Sequence, residues 1–148
     1  MLVMALFGIS IALMFVIVAF GWSVLEGQVP VSISYMIIYA VLIWRVGQWA
    51  RGPLAVGAAL AIILAILSAI AVPTWADRDA SGYAAPETIW GSAGLSASVL
   101  GLITILLVAV QIAVIVACLR AFRQEWQVEV EVPAGTSLPQ PGPEEAWA

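Results

Sequence analysis

Apolar and polar positions alternate along this chain in blocks, not residue by residue. Four long apolar runs, at about 2–24, 31–49, 53–72 and 95–119, are separated by short polar or Pro/Gly-bearing links. Each run is long enough to cross or nearly cross a hydrocarbon layer of about 30 Å as a helix. The pattern therefore predicts an all-α integral membrane protein. Its expected form is a bundle of four transmembrane helices in one domain, 1–119, with a long extracytoplasmic loop between the third and fourth helices and an extended cytoplasmic tail, 120–148.

The fourth run has the clearest internal register. Ala97, Thr104, Gln111 and Cys118 recur every seven residues, and Gly94 and Gly101 fall at the three-and-four offsets between them, among Leu, Ile and Val. This is a packing seam of small and weakly polar residues, the kind that lets helix backbones approach closely in lipid. The first run carries a similar stripe, Ala5, Ala12 and Ala19 with Gly8. The third carries an unbroken ridge at spacing four, Gly57, Ala61, Ala65 and Ala69. These positions are the candidate interfaces, either between the four helices or with partner subunits.

Gln111 stands about 21 Å below Ala97 at 1.5 Å rise per residue, so its amide must find hydrogen-bond partners inside protein. Counting down the second helix from Val31 places Tyr39 too near the outer surface to serve. The expected partners are the Trp44 indole, a backbone carbonyl of another helix or a group on another subunit. Ser10, the one hydroxyl deep in the first run, is expected to bond back to a carbonyl of its own helix. Ser32, Tyr35 and Tyr39 share one face of the second helix, suited to an interhelical hydroxyl bond or, less commonly, to a ligand.

The links are read from their breakers. Pro53 suits a first helical turn, and Pro73 is expected to end the third helix. From Thr74 to Ser92 runs a polar loop with aromatic edges, in which Pro86 and Glu87 resemble the start of a short helix or an early turn of the fourth span. After the fourth helix, Val128, Val130 and Val132 alternate with Gln127, Glu129 and Glu131. That strand pattern would need a partner, and 126–133 is a candidate dock for a soluble domain. The Pro, Gly and Glu of the remaining tail are too polar to fold alone.

Composition narrows the chemistry. Of 148 residues, 64% are hydrophobic and 9% charged, and no His is present. Asn and Lys are missing as well, and there is a single Cys. Without imidazole the usual haem, copper and zinc ligation is gone, and one thiol cannot make a disulfide-exchanging pair. No cofactor or metal is expected; Asp77 and Asp79 lack further ligands and read as a solvated acidic pair. A net charge of −4 with no basic patch speaks against nucleic acid as a partner. Every Asp and Glu lies outside the four runs, so the intramembrane carboxylate of a proton-coupled exporter is missing. All-Arg cations and abundant Ala suggest a GC-rich bacterial genome.

Arg45 and Arg51 lie at and just past the end of the second helix, Arg120 and Arg123 follow the fourth, and only Arg78 lies on the other side. The positive-inside bias then places both termini in the cytoplasm and the protein in the plasma (inner) membrane. The expected function is non-catalytic: an accessory, structural or assembly subunit of a larger membrane complex, for instance an energy-converting one, with other membrane subunits and the bilayer as partners. The alternative is a small oligomeric channel or transporter whose path Gln111 and Tyr39 would line. A lipid, quinone or pigment site on a partner, merely covered by this chain, is a third.

Overall fold

The computed structural model describes residues 1–25, 27–48 and 52–123. The strand pattern at 126–133 and nearly all of the tail lie outside them, as do Arg51 and Trp49.

Four helices follow one another: α1 (Leu2–Phe20), α2 (Val29–Gly47), α3 (Gly52–Ala80) and α4 (Ala97–Phe122). All four are long and apolar enough to cross a membrane. No strand is present among the described residues, and the protein is an all-helical membrane bundle. A short 3-10 turn, Trp22–Val24, joins α1 to α2. Pro30 lies in the first turn of α2, where a missing N–H costs nothing. Ser96 caps α4 by accepting from the Val99 amide.

Each helix packs on its neighbours in the cyclic order α1, α2, α3, α4, and the α3–α4 pair is the most extensive. Two pairs, α1 with α3 and α2 with α4, therefore face each other diagonally. The outer surface is a jacket of large apolar side chains such as Phe15, Ile37, Ile66 and Leu102. That is the surface a hydrocarbon solvent calls for, and a bilayer is the environment it fits.

Two expectations about the links are corrected. Pro73 does not end the third helix; α3 continues through it to Ala80. Proline removes the amide that would have bonded the Ala69 carbonyl, a loss that membrane helices tolerate; next to it the Thr74 hydroxyl donates to the Ala71 carbonyl at 2.6 Å. The following turn is also held in place by Trp75, which is buried against Leu100 and Ala97 in a secondary core.

Nor does Pro86–Glu87 begin a helix. Glu87 pairs with Ala93 in an isolated antiparallel bridge, and Thr88 and Ser92 close the turn between them through backbone and hydroxyl bonds. This link folds down onto the end of α1: the Ile89 amide donates to the Ala19 carbonyl at 3.0 Å and the Glu87 amide to Ser23 Oγ at 2.9 Å.

Candidate functional site

The seam read from α4 faces inward along its whole length. Ala97, Gly101, Thr104, Gln111 and Cys118 are all buried, while Leu102, Ile105, Leu106, Ile112 and Leu119 are exposed. Gly94 is half-buried in the loop before the helix, where a Cβ would collide with the carbonyl oxygen of Phe20. Gly101 lies against Trp75 of α3, with a Cβ at that position only 3.1 Å from the Trp75 Cβ. Thr104 bonds back to the Leu100 carbonyl at 2.8 Å and spends its hydroxyl within its own helix.

Gln111 is fully buried, and its partners are within the chain. Tyr39 donates its hydroxyl to Gln111 Oε1 at 2.8 Å, Gln111 Nε2 donates to Ser10 Oγ at 2.9 Å, and Ser10 donates to the Leu6 carbonyl at 2.9 Å. The order of this relay is forced: the single hydroxyl proton of Ser10 is committed to Leu6, so Ser10 can only accept from the amide, which must then turn its oxygen to Tyr39. Donor and acceptor meet at every step from α2 through α4 to α1.

The expected partner Trp44 is instead exposed at 62%. Depth counting misplaced Tyr39 because it treated side chains as points. Tyr39 lies about 15 Å along α2 and Gln111 about 21 Å along α4, an offset of roughly 6 Å. An offset of that size is within the combined reach of a Tyr and a Gln side chain, and the 2.8 Å bond spans it.

Aromatic rings surround this relay. Phe7 packs on Tyr39 with centroids 4.8 Å apart, and Tyr35 meets Tyr39 edge-on at 5.9 Å. Phe7 also crosses the other diagonal, where its Cζ occupies the space above Gly57 of α3; a Cβ on Gly57 would lie 2.6 Å from it. Both diagonals of the bundle are therefore bridged in one layer, α2 to α4 by a hydrogen bond and α1 to α3 by a ring seated on a glycine.

The remaining small-residue positions divide. On α3, Gly57 and Ala61 are buried, Ala65 is half-buried and Ala69 is exposed, so the ridge enters the bundle at one end and leaves it at the other. On α1, Ala19 is buried, whereas Ala5 and Ala12 are exposed and nothing lies within 4 Å of a Cβ built on Gly8. Ser10 and Phe7, which the α1 stripe overlooks, occupy the inward face instead.

Among the described residues no three His, Cys, Asp or Glu side chains come together as a metal site. The charged groups of the helices sit at their ends: Arg45 in the last turn of α2, Arg78 in that of α3, Arg120 in that of α4. The chain matches no family model, no curated protein and no solved structure.

Proposed function

We propose that this protein is a non-catalytic accessory subunit that works by packing against other membrane proteins. The observation that carries the reading is the outward face of α1: Ala5, Gly8 and Ala12 form a ridge of small residues that no helix of the bundle covers. In lipid, helix association depends on close contact because hydrocarbon supplies no hydrophobic force, and small residues are what allow it. The bundle's own stability does not call on this ridge. The polar layer supports the same reading, since Gln111, Tyr39 and Ser10 bond to one another and all three are fully buried in the bundle. A channel or transporter lined by Gln111 and Tyr39 would have to break that layer.

The protein is proposed to lie in a bacterial inner membrane with both termini in the cytoplasm, on the Arg distribution. Its partners are proposed to be larger membrane subunits, with 126–133 a further contact for a soluble domain.

The test uses the full chain extracted in a mild detergent. The parent should come away in fixed ratio with larger membrane proteins, and Ala5→Leu with Ala12→Leu, both at exposed positions, should lose them while leaving the chain inserted and helical. A parent that purifies only as an oligomer of itself, unaffected by the two substitutions, would refute the reading in favour of the channel or transporter.

A further inference from the structure

Near the 81–96 loop, α2 and α3 diverge. The wedge between the first half of α2 and the second half of α3 is a cleft of about 300 Å³, the lower end of the range for ligand pockets. Met14, Tyr35 and Leu107 form its buried floor, and Val31, Leu67 and Ile70, each exposed on the outer surface, form its lips. From Leu64 to Thr74 the cleft follows α3 for about 15 Å, half of a hydrocarbon thickness of about 30 Å. It is therefore one leaflet deep. A transmembrane helix of a partner needs the full span, whereas an acyl chain needs a single leaflet.

At its polar end the cleft opens into a vestibule lined by Gln28, Thr74, Asp77, Arg78 and Tyr83 and shares Gln28, Thr74 and Trp75 with it. Arg78 is held there by its stack on Tyr83, with the guanidinium carbon 5.2 Å from the ring centroid. Its Nε is buried and has no hydrogen-bond partner, and Arg78 makes no ion pair among the described residues. Arg78 as a whole is half-buried and lines the vestibule, so its guanidinium is the cation that a headgroup would meet there. Asp77 lines the same vestibule, so one charge of each sign faces the position of a headgroup.

We infer that the cleft between α2 and α3 is a binding site for one zwitterionic phospholipid, one of its two acyl chains lying on Tyr35, Met14 and Leu107, its phosphate on Arg78 and its ammonium toward Asp77. The complement is in the right order: apolar for one leaflet's depth, then a cation and an anion at the level of the headgroup. The site belongs to this chain alone and stands or falls independently of any assembly with larger subunits.

The experiment is native mass spectrometry of the purified, delipidated full chain titrated with dioleoyl phosphatidylethanolamine or with dioleoylglycerol, which has the same chains and no phosphate. The parent should retain one phosphatidylethanolamine per monomer. Arg78→Gln should reduce that retention roughly tenfold, the weight of about one charge-assisted hydrogen bond, to the level of the diacylglycerol. Ser32→Phe and Ala71→Phe, which fill the cleft from α2 and from α3 at half-buried positions, should each lose both lipids, and Arg120→Gln at the opposite end should change nothing. Undiminished retention in Arg78→Gln, or in both filling variants with helix content preserved, would overturn the assignment. So would a dimer of the parent that Ala71→Phe dissolves without altering lipid retention, because the cleft would then belong to a second copy.

Discussion

Tyr39 and Gln111 lie on helices that do not pack side by side, yet the tyrosine hydroxyl donates to the glutamine oxygen at 2.8 Å across the centre of the bundle. Because the amide then donates to Ser10, two diagonally opposed helices and α1 are tied by a single side chain. Gln111→Leu removes both bonds and strands the Tyr39 hydroxyl in an apolar core, while Tyr39→Phe removes only one. Interhelical bonds in membranes measure about 0.6 kcal/mol on average and up to about 1.7. We expect Gln111→Leu to lower stability by about 1–3 kcal/mol, the cost of an unmet buried group, and Tyr39→Phe by less. In a double-mutant cycle read by unfolding in a denaturing detergent, the two losses should fall short of additive; strict additivity would mean the bond carries no stability.

Phe7 over Gly57 makes a second prediction of opposite character, since here the tolerance is steric. Gly57→Ala puts a methyl where the Phe7 ring sits, and Phe7 is fully buried between Gly57 and Tyr39 with nowhere to retreat. Overpacking of this kind costs about 1–3 kcal/mol. Phe7→Leu should recover much of the loss in the Gly57→Ala background while being destabilising alone. If Gly57→Ala unfolds at the same detergent fraction as the parent, the ring is not locked as described.

The seam of α4 could be read from spacing because helix periodicity alone decides which residues share a face, and Ala97, Gly101, Thr104, Gln111 and Cys118 are buried together. The partner of Gln111 could not, because it depends on the depth and direction of a second helix and on the reach of two side chains. Ser10 was legible for its bond to Leu6 but not for the one it accepts. Pro73 was misleading for a related reason: its cost is local, while the turn after it is kept by the burial of Trp75 in tertiary structure. The cleft between α2 and α3 left no trace in the pattern, since its lining of Val, Leu, Ile, Ser and Tyr is that of any span.

The proposed orientation rests on charge. Arg45, Arg120 and Arg123 lie at one end of the described bundle and Arg78 at the other, with Arg51 completing the first group in sequence. On the positive-inside bias we propose that the first end faces the cytoplasm. An alkaline phosphatase fused after Ala148, active only when exported, should be silent, and the same enzyme inserted at Gly82 should be active. The reverse pattern would turn the protein over in the membrane.

Cys118 provides the last prediction and a way to read the others. A cysteine near the end of a membrane helix is an ordinary site for an acyl chain, provided that its sulfur can be reached. This one is 1% exposed, enclosed in the main core with Ala117, Val114 and Tyr39. We therefore expect an intact mass without a fatty acyl group and a thiol that resists a membrane-permeant maleimide in mild detergent. Labelling should become complete once a denaturing detergent separates the helices. The open fraction of the core then sets the rate, so Gly57→Ala and Gln111→Leu should label faster than the parent, by about tenfold for each 1.4 kcal/mol of lost stability. Arg78→Gln, at the far end of α3, should label at the parental rate. Rapid labelling of the parent itself would place the Cys118 side of α4 at the surface and contradict the packing from which the relay through Gln111 is built.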